Sequence, residues 1–506
     1  MQVAGFLKDS AWKYKNKTAI YFQDTNITYE QLNQEVNNLA QGLLRLGLKA
    51  EQRVCIILGN TPDFILSYFA ITRAGGTVTP INPSYKREEI KFILNDSEAV
   101  LIITSKVLLP NFENIWDEVP SLNKVIVIDG DSQNNIVSYN ELIRYESEPV
   151  ELDIDGESIA ACIYTSGTTG KPKGALLSHN NLIFDAEACL ERIKYNSEDK
   201  HVCVLPLFHS FCQMAVMICP IRSGGSISIL PHFLPDLVLK EIMKNKITVF
   251  CGVPTMFNAL QAKLSSSNDY NISSLRICLV GGASMPVELI RAFENKYPVC
   301  ILEGNGPTET SPVSYVNPPE LRKVGSVGPP LKGVEVKIVD DNDNELQIGE
   351  IGEICVQGPN VMKGYLKQPK ETENTIKDGW LHTGDLGKVD EDGYVYIIDR
   401  KKDMLIVGGI NVYPREVEEC LYMNDKVREA AVIGVSDGQR GEVPIAFIVL
   451  KEGFTGNKAE FAVYCRERLA NYKCPKDFIL VDTIPKNGSG KIDKKQIKEA
   501  HSMGLI

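Results

Sequence analysis

Residues 164–174 read YTSGTTGKPKG, and the rest of the chain is organised around them. The preceding IAACIY run, 159–164, approaches as a strand, and Ala175, Leu176 and Leu177 can resume one afterwards. Between the two, Gly167, Gly170 and Gly174 allow positive φ and bring backbone N–H groups close to an anion. Thr165, Ser166, Thr168 and Thr169 offer hydroxyl donors, and Lys171 and Lys173 neutralise charge. This is the chemistry of a polyphosphate grip. It is not the GxxxxGK[ST] loop, because Gly167 and Gly170 stand too close together and Lys171 precedes Pro172. A Ser/Thr/Gly surface loop shares the composition, so the reading depends on what the rest of the chain supplies.

On the amino-terminal side, 28–47 is predicted helical. Thr28 and Gln31 form a capping-box pair, Leu32, Val36, Leu39, Leu43 and Leu46 follow helical spacing, and Gly47 sits where a terminating glycine belongs. Strands over 54–58, 77–80, 100–104 and 125–128 alternate with helices over 64–74 and 86–95, the pattern of a parallel sheet covered by helices. Beyond the glycine-rich stretch the alternation repeats: a helix over 180–193, the VCVLPLFH run 202–209 ending in an aromatic and an imidazole, and strands over 226–230, 249–252 and 277–282. Residues 328–356 change to short strands with Gly and Asp-Asn turns, read as antiparallel β in a small barrel or sandwich. From 403 the elements are short and mixed, with helices over 414–423 and 457–469 and strands over 430–435 and 445–450. The expected organisation is therefore α/β. A large amino-terminal domain, 1–399, holds two α/β subdomains and a β-barrel-like part over about 325–399. A hinge at 400–402 joins it to a small mobile α+β domain, 403–506.

At 506 residues the chain needs more than one core. Its 54 basic against 65 acidic residues, net charge −11, argue against nucleic acid as the main partner but leave room for locally concentrated lysines. The thirteen cysteines are scattered without a C-x-x-C pair, and the six histidines show no zinc-ligand spacing, so no structural zinc is expected. There is no apolar leader at the amino terminus, no run of membrane-spanning length, and no SKL-type address at the carboxyl terminus. The expected location is cytoplasmic.

Over 18–495 the sequence resembles the adenylate-forming superfamily of acyl-CoA synthetases, peptide-synthetase adenylation domains and luciferase, with its motifs in order, and is most like a bacterial fatty-acid:CoA ligase. The resemblance implies that the EGNGPTET run at 303–310 is the second nucleotide motif, with Glu303, Gly304, Asn305 and Gly306 against the nucleotide, Thr308 on the α-phosphate, and Glu309 with Thr165 on Mg²⁺. Asn305 departs from the pattern, since many relatives carry there a Tyr that stacks on adenine; such a stack contributes ~1–3 kcal/mol. Asp385 of LHTGDLG would receive both ribose hydroxyls, Arg400 would reach the ribose, Ile397 would lie against the nucleotide, and Lys402 would be the hinge. Gly408 and Gly409 would line the pantetheine passage. Lys491, in PKNGSGK, would bridge the substrate carboxylate and the α-phosphate from a mobile loop.

The same resemblance places His209, Val253, Gly281, Gly282, Ala283 and Gly304 around the acid, with His209 as a wall or gate. No general base is needed for an already ionised carboxylate. The implied activity uses ATP, Mg²⁺ and coenzyme A: a carboxylate attacks the α-phosphate, pyrophosphate leaves, and the thiol of coenzyme A displaces AMP. Phe208, Phe211, Met214, Val216 and Met217 suggest an apolar, adaptable wall for a medium- or long-chain fatty acid. The alternatives are an aryl acid, an amino acid delivered to a carrier-protein thiol, a luciferase-like oxygenase, or a binding protein that has kept the fold. The amino-acid reading wants an Asp near the PLFH run, where His209-Ser210-Phe211-Cys212-Gln213 has none. Peripheral membrane contact and a homodimer are compatible with this reading.

Overall fold

The computed structural model describes residues 2–112, 114–144, 148–166 (the side chain of Ser166 excepted), 172–267, 269–488 and 490–506. Gly167, Thr168, Thr169, Gly170 and Lys171 of the glycine-rich stretch lie outside the described residues.

Among the described residues the chain builds two eight-stranded sheets and two five-stranded ones. The first has Arg53–Ile57 near its centre, parallel to Thr77–Pro80 on one side and Leu101–Thr104 on the other, followed by Lys124–Val127 and Ile136–Ser138. Ile159–Ser166 lies parallel to Thr77–Pro80 and then turns back as Pro172–Ser178, so the phosphate-grip sequence joins two antiparallel strands. Gly364–Tyr365 closes that edge against Ala175 and Leu176. The helix Tyr29–Arg45 forms as its signals dictate. Gln31 N donates to Thr28 Oγ1 at 3.2 Å, Thr28 N donates to Gln31 Oε1 at 2.9 Å, Gly47 takes φ +89°, and Leu32, Val36, Leu39 and Leu43 are fully buried.

The second sheet runs Tyr315–Val316, Cys300–Asn305, Ile277–Val280, Val249–Gly252, Lys200–Cys203, Ser226–Ile229, Thr18–Phe22 and Thr25–Thr28, parallel except at its two edges. The PLFH run lies beyond the strand, which ends at Cys203. One continuous apolar core, reaching from Val3 to Val395, packs both sheets together.

The barrel-like part is a five-stranded antiparallel sheet: Glu335–Val339, Gly352–Gln357 and the long Trp380–Val389, which pairs on its far side with Ile376–Lys377 and Val395–Arg400. Among the described residues its edge strands do not pair with each other. Beyond it, Leu405–Val407, Ile410–Val412, Val427–Asp437, Gly441–Leu450 and Asp477–Leu480 form a separate sheet with its own apolar clusters on both faces, the first residue of which is Leu405. No helix among the described residues is long and apolar enough to cross a membrane.

Candidate active site

The parallel strands of the second sheet deliver their following residues to one edge, where such sheets present their crevice. Register pairs Gly252 with Val280 and Val280 with Glu303, so Val253, Gly281 and Gly304, each one residue further, stand side by side. They line a cavity of about 1100 Å³ together with His209, Thr308, Asp385 and Lys491. The sheet thus gathers residues that are distant in sequence. Thr308 Oγ1 lies 3.0 Å from the hydroxyl of buried Ser210, a contact the sequence does not announce. His209 is half-buried on the cavity wall, and desolvation there, reinforced by the Lys491 charge, pushes its imidazole down to about 3 and keeps it neutral. Its Nδ1 accepts from Phe211 N at 3.4 Å, which suits a wall.

Lys491 follows the carboxy-terminal sheet, and its backbone is tied to Asn487. Asn487 N donates to Lys491 O at 2.8 Å, Lys491 N donates to Asn487 Oδ1 at 3.1 Å, and the segment docks where Thr255 Oγ1 donates to Gly490 O at 2.9 Å. Its stem lies so close to Gly282 that a Cβ there would stand 2.6 Å from Lys491 Cε; Gly282 also takes φ +76°, so glycine is required on two counts. Burial, with the Arg400 charge adding to it and Asp385 opposing, lowers the Lys491 ammonium to about 8.

Asp385 is buried, and Arg400 pairs with it as an ion pair, Nε 2.7 Å from Oδ1. Burial raises its pKa, while Arg400 and a hydrogen bond from Asn305 work against the rise. The carboxylate and guanidinium expected at the ribose are thus already together, with Ile397 and Lys402 also on the cavity wall. Asn305 faces Asp385 as well as the cavity. Asn305→Tyr should place a stacking face where Asn305 now stands and release Asp385 for the diol. We expect the KM for ATP to fall in initial-rate measurements; an unchanged or raised KM would show that another group already covers the base.

Glu309 and Thr165 meet at 3.4 Å, hydroxyl to carboxylate, and Tyr365 OH donates to the same Glu309 oxygen at 2.8 Å. A carboxylate and a hydroxyl are the hard oxygen donors that suit Mg²⁺, which usually takes one or two carboxylates and completes its shell with water and phosphate oxygens. The donor set fits that ion. Tyr365 escapes sequence reading because the two-residue strand that carries it, Gly364–Tyr365, pairs with residues almost two hundred positions away.

Several expected residues stand elsewhere. Lys173 is buried beside the cavity wall, hydrogen-bonded to Glu371, with its ammonium 5.2 Å from the centre of the Tyr365 ring on the Glu309 side. Glu303 does not reach the cavity. Residues alternate along the strand, so with Gly304 facing the cavity Glu303 turns to the opposite face, where its carboxylate accepts from Gly325 N at 2.8 Å and burial raises it to about 8. Val216 and Met217 are core residues, because the π-helical turn Gln213–Ile218 shows the cavity Met214 and Ala215 and turns the next two inward. Phe208, Phe211, Met214 and Ala283 do line it, and Ala215, Cys189 and Cys219 join them. Gly408 and Gly409, at φ +59° and +85°, form the tip of the exposed hairpin Leu405–Val412, away from the cavity.

The model of the AMP-binding enzyme family matches residues 7–366, and that of the AMP-binding enzyme C-terminal domain matches residues 416–491. A long-chain-fatty-acid–CoA ligase of Bacillus subtilis (strain 168) is 37% identical over 524 residues, covering 97% of this chain and 93% of that protein. A feruloyl-CoA synthase of an Amycolatopsis species is 34% identical over 483 residues, with 95% of each covered. Among solved structures, an anthranilate CoA ligase in complex with anthranoyl-AMP superposes with a TM-score of 0.93 at 30% identity, covering 100% of this chain and 98% of that one.

Proposed function

The chain belongs to the AMP-binding enzyme family as an adenylate-forming CoA ligase, and from that premise we propose that its acid is a medium- or long-chain fatty acid. The carboxylate attacks the α-phosphorus of ATP, the bond to pyrophosphate breaks, and acyl-AMP remains. The thiol of coenzyme A then attacks the acyl carbonyl, loses its proton and displaces AMP. Thr308 and Lys491 would align carboxylate and α-phosphate, Asp385 and Arg400 would fix the ribose, and the 165–173 stretch would hold the leaving pyrophosphate. Mg²⁺, held by Glu309 and Thr165, would neutralise charge on the departing phosphates. Positioning and charge neutralisation carry most of such a rate. The domain boundary stands in this reading as first drawn, with 400–402 as the pivot about which 403–506 turns between the two steps.

The observation that supports a fatty acid is the lining of the cavity beyond His209. Cys189, Ile193, Met214, Ala215 and Cys219 are apolar or nearly so, and no ionised group stands among them to meet an ammonium. A second reading, an aryl acid, is favoured by the relatives named for feruloyl and anthranilate substrates. Pyrophosphate release over a panel of fatty, aryl and amino acids, with and without coenzyme A, separates them. The fatty acids should give the highest kcat/KM and yield thioester only with coenzyme A, and a preference for benzoates or cinnamates would sink the fatty-acid reading.

A further inference from the structure

The depth of the acid chamber follows from strand register. On the second sheet, Val253 and Gly281 at the reacting edge share a face with Cys251 and Leu279, two residues back, and with Val249, Ile277 and His201, two residues further still. The helix His179–Ile193 and the turn Gln213–Ile218 roof this face and contribute Cys189, Ile193, Met214 and Ala215 to the cavity wall, Cys219 follows directly after the turn, and Leu279 lines the wall from the sheet.

Tyr195, just past the helix, lies across the far end. Its hydroxyl is 3.7 Å from Cys251 Sγ, and its ring packs edge-on against the His201 ring, centroids 4.7 Å apart. Tyr195 is buried yet touches the cavity, whereas His201 is wholly buried behind it and does not. Neither ring nitrogen of His201 has a hydrogen-bond partner among the described residues. Burial keeps that imidazole neutral, pushed down to about 3, so it serves as a flat aromatic plate that backs the tyrosine.

We infer that Tyr195, pinned by Cys251 and His201, is the floor of the acid chamber and sets the upper limit on acyl length. From the reacting edge to the levels of Cys251 and His201 is two to four residues, ~7–13 Å at about 3.3 Å per residue. A medium-chain tail fills that depth and a long-chain tail overruns it. The inference rests on the fatty-acid reading above and narrows it to medium-chain acids.

The test is pyrophosphate release over a series of saturated fatty acids with wild type, Tyr195→Ala, Tyr195→Leu and Tyr195→Phe. Wild-type kcat/KM should rise with length and then fall sharply once the tail meets the floor. Tyr195→Ala should move the optimum to longer acids, raising kcat/KM beyond the old limit roughly tenfold or more relative to that at the old optimum, since each methylene in an apolar pocket discriminates by about that factor. Tyr195→Leu, the milder change should alanine prevent folding, should shift it part of the way, and Tyr195→Phe, which keeps the ring, should hold the limit. A folded Ala or Leu variant with the wild-type optimum would overturn the assignment, as would a wild type with no length limit. If wild type ignores every fatty acid but activates benzoates, the fatty-acid reading fails instead. The floor is then read in a para-alkylbenzoate series, where Tyr195→Ala must relax the length limit or the assignment falls too.

Discussion

Lys491→Ala should slow acyl-AMP formation by a factor of about 10²–10³, the effect of removing one well-placed charge or hydrogen-bond donor from a transition state in a water-poor site. The ammonium lies deep in the cavity beside Gly282, Arg400 and Asp385, held there by the segment that Thr255 anchors. If that arrangement serves the first step alone, thioester formation from supplied acyl-AMP should be nearly spared. Equal loss of both half-reactions would refute the division of labour. The protonation state gives a second readout. With its pKa lowered to about 8, Lys491 carries its charge below that pH and loses it above. The kcat/KM for pyrophosphate release should therefore fall as pH rises through about 8, and Lys491→Arg, whose guanidinium stays charged, should remove that limb from whatever activity remains.

The opposite half-reaction should fail in Gly409→Leu. In this structure nothing lies within 4 Å of a Cβ at Gly408 or Gly409, so a Cβ is accepted there without collision. The left-handed φ of +85° still costs ~1–2 kcal/mol, felt as a modest loss of carboxy-terminal domain stability. Adenylation should continue, because the hairpin is far from the cavity while Lys491 is engaged. If the proposed turn of 403–506 brings the hairpin to the thiol passage, thioester formation should drop on the order of 10² or more, since a bulky branch there would displace the pantetheine arm by more than an ångström. Intact thioester formation in a folded Gly409→Leu enzyme would show that the hairpin does not come to the thiol passage.

What the sequence disclosed follows from how local each signal is. The helix Tyr29–Arg45 was legible because its cap, stripe and terminating glycine all lie within twenty residues and agree. The motifs carrying Thr308, Asp385 and Lys491 were legible because their chemistry is specific, and the cavity gathers them. Glu303 misled, although the alternation that turns it from the cavity once Gly304 faces in was already present in the run CILEGN. Lys173 with Glu371, Tyr365 with Glu309 and Ser210 with Thr308 were not legible, because each joins residues that only the sheets bring together. The floor at Tyr195 belongs to the same class: a tyrosine after a helix means nothing until strand register puts Cys251 and His201 beneath it.

Both large sheets depend on strands from distant parts of the chain. Thr18–Phe22 completes the second sheet with Ile20 opposite Ile227, and Gly364–Tyr365 closes the first against Ala175 and Leu176. On a ribosome adding ~5–20 residues per second, the amino-terminal strand would wait roughly 10–40 s for its partner to emerge. During that interval its hydrogen-bonding edge is exposed. Neither α/β unit can therefore finish folding before the other has been synthesised, so a nascent chain stalled between them would be a target for chaperones, and a fragment cut there would aggregate.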